Sequence, residues 1–232
     1  MAWKTGEKGL KQKRVSFPSG KLTLEGLINF PQRDGTFPAV VLCHPHPLYG
    51  GSMDNNVILS VASALVERSI IAFMFNFRGV GGSQGRFGGG IGEREDISAA
   101  LSWIMSQPAV DKGRVGLVGY SFGAMVALPV GCDDDRVEAL ALISMPPGAE
   151  QVSQLKKCAK PKLIICGTND MVVPAKEAER MGREAAEPKQ FELISGADHI
   201  WWGYESILAQ KVTDFFTLTL ALSLQGKGLE DF

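Results

Sequence analysis

Short runs of β-branched and other apolar residues alternate along this chain with longer segments whose apolar positions recur at helical spacing. "FPAVVLC" (37–43), "IIAFMFNF" (70–77), "RVGLVGY" (114–120), "VEALALIS" (137–144), "PKLIICG" (161–167) and "KQFELIS" (189–195) read as strands. Continuous apolar runs of this length are those of strands covered on both faces. Residues 13–17 and 21–30 flank Pro18-Ser19-Gly20 and read as an opening hairpin. Segments 55–68, 93–107, 122–130, 174–186 and 203–216 read as helices; acids open 93–107, Pro108 closes it, and Pro174 starts 174–186. Strands alternating with helices predict crossover units and a mostly parallel sheet with helices on both faces. The hairpin adds one antiparallel strand near the N-terminal edge, and the whole reads as one domain over 1–232. The run 78–92, with its eight glycines, predicts irregular loop. Phe216, Leu218, Leu220, Leu222 and Leu224 alternate with smaller or polar residues, which is strand periodicity, yet they directly continue a helix. The pattern leaves open a helical extension, an added strand or a homodimer contact.

Composition narrows the partners. Of 232 residues 45% are hydrophobic and 21% charged, as in ordinary globular proteins, and the formal net charge is −1. No global field therefore favours nucleic acid or an anionic membrane. No uncharged apolar run approaches the roughly 20 residues a membrane span needs, and the basic N-terminal stretch lacks the apolar segment of a secretory signal. Cys43, Cys132, Cys158 and Cys166 show no C-x-x-C spacing, and Cys43 and Cys166 sit inside strand-like runs. A reducing, cytoplasmic setting fits this usage.

The chemistry concentrates at "VGYSFGA" (118–124), where Ser121 stands between two glycines, after a strand and before a helix. A serine at such a junction occupies a tight turn, and glycines at 119 and 123 let strand and helix pass close to it. Its hydroxyl is then presented at the carboxyl end of the sheet, facing the N–H groups that open the helix. This is the strand–turn–helix context of a G-x-S-x-G nucleophile. Serine needs a base, and the base needs an orienting acid. Of the three histidines, His44 and His46 precede Ser121 and His199 follows it, past "KQFELIS"; the order nucleophile, acid, histidine selects His199. Asp170, in "GTNDMVVP" just past a strand, is the acid this order requires. Asp198 adjoins His199 in sequence and so points elsewhere, and Asp133–Asp135 read as a solvated turn.

An oxyanion also needs two backbone donors. The amide of Phe122 supplies one. Loop "CHPHPLYGG" (43–51) supplies the other; Pro45 and Pro47 carry no N–H, so His46 is the first candidate, with Leu48 and Tyr49, or the Tyr49 hydroxyl, as alternatives. His44-x-His46 is also a conceivable metal-ligand spacing, but without a clear third ligand; no metal and no cofactor is expected. Loop 78–92 lacks a phosphate-binding spacing, and Arg78 reads as a tie between loops.

In order, "HPHPLYGG", "NFRGVGGSQG", "GYSFG", "GTNDMVVP" and "GADHIWWG" resemble the α/β-hydrolase superfamily, most closely its small bacterial members of dienelactone-hydrolase-like and S15-peptidase-like type. The resemblance implies an eight-stranded sheet and acyl hydrolysis by Ser121, Asp170 and His199. Dienelactone hydrolases carry Cys where this chain has Ser121, which shifts the expected substrate to a small-molecule carboxylic ester. Asn76 stands where many relatives carry an Asp. Lids of this superfamily usually lie where only residues 145–160 are available here, so no cap domain is expected. Leu48, Tyr49, Phe87, Met145, Trp201 and Trp202 are candidate substrate contacts; Trp201 or Trp202 could equally pack the last helix. A peptidase, thioesterase or lactonase on the same residues, or an inert binding module, are the rival readings.

Overall fold

The computed structural model describes residues 4–5 and 11–226. The opening hairpin is β2 (Lys11–Ser19) and β3 (Leu22–Phe30), with a two-residue strand β1 (Lys4–Thr5) outside β2. Crossover units follow: β4 (Phe37–Cys43), α1 (Asn56–Glu67), β5 (Ile71–Phe75), α2 (Ile91–Met105), β6 (Val110–Tyr120), α3 (Phe122–Asp133), β7 (Ala139–Ile143), α4 (Ala149–Lys157), β8 (Lys162–Gly167), α5 (Ala175–Glu184), β9 (Lys189–Ile194) and α6 (Glu205–Gly226). The strand order is β1-β2-β3-β5-β4-β6-β7-β8-β9. Within the eight longer strands only β3 runs against the rest, pairing antiparallel with both β2 and β5. The eight expected strands and the single reversed one are therefore present, with β1 as a short extra at the edge.

Period-2 alternation sorts the strand side chains onto two faces. Val40, Leu42, Val118, Tyr120, Ile143 and Ile165 face α1 and α6, whose Val57, Val61, Val212 and Phe216 complete that layer. Val41, Cys43, Phe73, Phe75, Leu117 and Leu140 face the other way, against Ile97 and Leu101 of α2 and Val126 and Ala127 of α3. Beyond them Leu142, Ile164 and Cys166 meet α3, α4 and α5 through Leu128, Leu155 and Met181. Between β7 and β8 there is a single nine-residue helix, α4, and no cap.

The last helix resolves the ambiguous tail. α6 continues through residues 216–224, with Val212, Phe216 and Leu220 buried at four-residue spacing and Leu218 exposed. The side chains of Leu222 and Leu224 lie outside the described residues. No described helix is long and apolar enough to cross a membrane. One reading from cysteine spacing is corrected: Cys132 and Cys158 form a disulfide, Cα–Cα 5.3 Å, joining the ends of α3 and α4, while Cys43 and Cys166 are buried thiols. The partners lie 26 residues apart on different helices, so no local spacing announces the pair.

Candidate active site

β6 is flanked by β4 and β7 deep in the sheet, and Ser121 is the residue that turns it into α3. Its backbone sits at φ 55°, ψ −118°, a conformation costly for a residue with a Cβ. Ser121 N–H donates to Ile143 O at 2.8 Å, while its carbonyl accepts from Ala124 and Met125 at 3.0 and 3.2 Å, which anchors the turn from both sides. Both neighbouring glycines are sterically required. A Cβ on Gly119 would strike the backbone of Gly123 and Ala124; one on Gly123 would strike the carbonyls of Cys43 and His44. The helix thus starts hard against the end of β4, and Phe122, its first residue, keeps an N–H with no partner inside the helix.

Two loops bring the partners. His199, in the turns after β9, places Nε2 3.0 Å from Ser121 Oγ. Its Nδ1 lies 3.0 and 2.9 Å from the two oxygens of Asp170, which follows β8. An Nδ1–H donated to the carboxylate leaves Nε2 as the acceptor for the serine proton, the tautomer that general-base chemistry requires. Asp170 is buried, and burial alone would raise its carboxyl; hydrogen bonds from His199, the Val173 amide and the Ser144 side chain outweigh that and hold it below the ordinary carboxylate value. Val172 and Val173 amides donate to Oδ1 at 2.9 and 2.8 Å. Asp198 instead accepts from the Trp202 amide at 3.3 Å, turned to its own loop.

Three further buried residues brace this arrangement. Trp201 Nε1–H donates to Ser144 Oγ at 3.1 Å, and Ser144 in turn serves Asp170. Tyr120 O–H donates to the backbone oxygen of His199 at 2.7 Å. Ser121, Ser144 and Trp201 all have positive φ, at 55°, 44° and 60°. Sequence reasoning missed Ser144 and Tyr120: nothing local marks a serine at the end of one strand as the neighbour of a loop beyond another. Trp201 needs correction as a substrate wall, because it is fully buried between β-sheet and α6 with its ring N–H already used. Met145 is corrected likewise; it is buried with Ala124, Leu128 and Ile164.

Loop 44–50 lies across the start of α3. The ring of His46 is 4.8 Å from Phe122, 5.0 Å from Phe87 and 4.8 Å from Tyr49 (centroids), so these aromatic rings pack on His46. Leu48, Tyr49 and Trp202 are exposed. His46 Nδ1 accepts from the Leu48 amide at 3.2 Å and His46 O from the Tyr49 amide at 3.0 Å, so both alternative amides are spent within the turn. His44 has no ring nitrogen to offer a metal. Nδ1 donates to Pro45 O at 2.6 Å and Nε2 accepts from the Phe77 amide at 3.0 Å. Burial outweighs the bond to Pro45 and lowers its pKa from 6.5 to about 4.

The glycine-rich loop is held by carboxylates. Glu93, fully buried at the start of α2, accepts from the amides of Gly88 and Gly90, both at 2.7 Å. Arg78 binds Asp96 through Nε and Nη2 and reaches Glu95, a structural tie as the sequence suggested, but from the loop to α2 rather than from loop to loop. Asn76, unassigned from sequence, joins the loop before α1 to β3: Oδ1 accepts from the Met53 amide at 2.7 Å and Nδ2 donates to Glu25 at 2.6 Å.

Comparisons with known proteins place the chain in a family. The model of the family described as X-Pro dipeptidyl-peptidase (S15 family) matches residues 21–192. An uncharacterized protein of Rickettsia prowazekii, RP471, is 32% identical over 186 residues, covering 77% of this chain and 78% of its own. An alpha-beta serine hydrolase homologue from Coxiella burnetii superposes with a TM-score of 0.80 at 34% identity, covering 87% of this chain and 96% of that one. XC6422 from Xanthomonas campestris, an a/b serine hydrolase without lid, superposes at 0.77 with 27% identity, covering 88% and 93%. With a matched core that runs from β3 into β9, this chain belongs to the S15 family of the α/β serine hydrolases.

Proposed function

We propose that the protein is a cofactor-free serine carboxylesterase that hydrolyses short- to medium-chain carboxylic esters through an acyl-enzyme. One observation carries the proposal: Ser121 Oγ lies 3.0 Å from His199 Nε2 while His199 Nδ1 lies against Asp170. Ser121 attacks the ester carbonyl as His199 takes its proton, and the imidazolium is stabilised by Asp170. His199 then protonates the departing alcohol. Water, activated by the same ring, releases the acid. The Phe122 amide, and that of His46 in the loop across it, receive the oxyanion. Phe87, Tyr49, Leu48 and Trp202 offer apolar contact to the acyl or alcohol group. An ester alkoxide leaves more readily than an amine, so an open site with little to grip a peptide favours esters.

The test is a panel of p-nitrophenyl esters from acetyl to decanoyl, run beside X-Pro p-nitroanilides and acyl thioesters, with a fluorophosphonate label. Turnover of the shorter esters and labelling, both lost in Ser121→Ala, is the expected result. Faster cleavage of the X-Pro anilides would favour a peptidase, the second reading, which the family match supports. Absence of both turnover and labelling would leave an inert binding module.

A further inference from the structure

The loop that carries the His46 amide is held at both ends by the two residues after β5. At its start the Phe77 amide donates to His44 Nε2 at 3.0 Å, and His44 Nδ1–H donates to the Pro45 carbonyl at 2.6 Å. At its end Asn76 Oδ1 accepts from the Met53 amide at 2.7 Å. Between them His46 O accepts from the Tyr49 and Gly51 amides, both at 3.0 Å. A Cβ on Gly51 would strike the carbonyls of Pro45 and His46, so the loop is closed tightly on itself. In a trans peptide the N–H points away from the C=O. Holding the Pro45 carbonyl therefore aims the His46 N–H, which enters no hydrogen bond among the described residues.

Asn76 is fixed in turn. It is buried, its N–H donates to Glu25 O at 3.0 Å, and its Nδ2 donates to Glu25 Oε1 at 2.6 Å. Its carbonyl accepts from Ser83 Oγ at 2.7 Å, and the same Oγ accepts from the Glu25 amide at 3.0 Å. A Cβ on Gly81 would strike both Glu25 and Asn76, so this glycine leaves room for the pair. Three of the four polar groups of Asn76 are thus spent on β3 and Ser83, and the fourth, Oδ1, grips the loop. We infer that Asn76, anchored by Glu25, is a positioning residue for the oxyanion donor. Through Met53 it fixes the far end of loop 44–53 and keeps the His46 amide beside that of Phe122. The inference rests on the esterase reading and adds a residue to it. α3 begins against the carbonyls of Cys43 and His44, so a loop that drifts from Asn76 changes the spacing of the two amides. Oriented donors act where the oxyanion forms, and a small displacement is costly there.

Rates on a short-chain p-nitrophenyl ester and on its thiono analogue, with sulfur in place of the carbonyl oxygen, test this. Sulfur is a weak hydrogen-bond acceptor, so the oxo-to-thiono ratio, taken relative to alkaline hydrolysis of the same pair, measures how well the donors hold the oxyanion. Asn76→Ala should lower kcat on the oxo ester about ten- to a hundredfold with KM little changed, and should reduce the ratio. Amide hydrogen exchange should quicken in residues 46–53 and stay unaltered around Asp170. The near-isosteric Asn76→Asp keeps an acceptor for Met53 but sets a carboxylate against Glu25, and it should lose kcat too. Adding Glu25→Gln returns a donor to the pair and should restore most of the loss. An unchanged kcat in Asn76→Ala, or a loss of kcat without a change in the ratio, would overturn the inference. Failure of Glu25→Gln to rescue Asn76→Asp would overturn the anchoring. A wild type that turns over neither ester would sink the esterase reading and this role with it, whereas active wild type beside an equally active Asn76→Ala sinks the role alone.

Discussion

Ser144 illustrates what single residues do here. Its hydroxyl accepts from Trp201 and supports Asp170, so two residues remote in sequence steady the carboxylate that steadies His199. Ser144→Ala and Trp201→Phe each break the same link; each is expected to lower kcat about tenfold with KM little changed. The double variant should cost no more than the larger single loss, because the members of one network are not additive. Losses that multiply would show that the link does not exist. His44 makes a second prediction, about pH. Its folded pKa is about 4 against an ordinary 6.5, so the unfolded chain takes up a proton first as pH falls. Stability is unaffected by this group above pH 6.5, declines between there and 4, and the full decline is worth about 3 kcal/mol. His44→Gln cannot be protonated; in urea titrations its deficit relative to wild type at pH 7.5 should shrink by pH 5. Parallel declines would exclude the buried neutral imidazole. Ser121, Asp170 and His199 were legible because each lies at the end of a strand within a recognisable local pattern. Ser144, Tyr120 and Asn76 were not, since their roles arise only where segments distant in sequence meet.

Elements show the same division between local and assembled information. Strands were readable because burial on both faces demands long apolar runs, and the hairpin because Pro18-Ser19-Gly20 signals a turn, although β2 runs on through Pro18 and Ser19 and turns only at Gly20. The 216–224 tail was ambiguous because period 2 and period 4 share every second position: Phe216 and Leu220 satisfy both, and only the exposure of Leu218 separates them. The threonines that suggested a strand fit a helix by turning their hydroxyls back, Thr217 to Thr213 O at 2.8 Å and Thr219 to Phe215 O at 2.7 Å. The link between α3 and α4 was invisible for a related reason, since helix packing alone brings Cys132 to Cys158. Closing that loop should contribute about 3 kcal/mol through the unfolded chain. Cys132→Ser is expected to lower the urea midpoint accordingly, and a reductant should bring wild type down to the variant while leaving the variant unmoved. A midpoint insensitive to both treatments would mean that the two thiols stay unbonded in solution.

At the scale of the molecule, the candidate site spans strands of unequal security. Ser121 hangs from β6, whose last six residues are buried; its neighbour β7 is buried throughout and its neighbour β4 everywhere but Pro38. His199 hangs beyond β9, the strand at the far edge, where five of six residues are half-buried, Gln190 is exposed and no described strand pairs on the outer side. Local opening draws on the regions with fewest buried contacts. The β9 edge and the turn that carries His199 should therefore loosen before the central strands do, parting Nε2 from Ser121 Oγ while most of the sheet is intact. Tyr120 resists this through one hydrogen bond to the His199 carbonyl. In a urea series, phosphonate labelling of Ser121 should accordingly be lost at a lower midpoint than far-ultraviolet circular dichroism. Tyr120→Phe should widen the gap by moving the labelling midpoint down and leaving the dichroism midpoint nearly in place. Coincident transitions in both proteins would mean that edge and centre unfold as one cooperative unit, and that His199 is held by the whole sheet rather than by its margin.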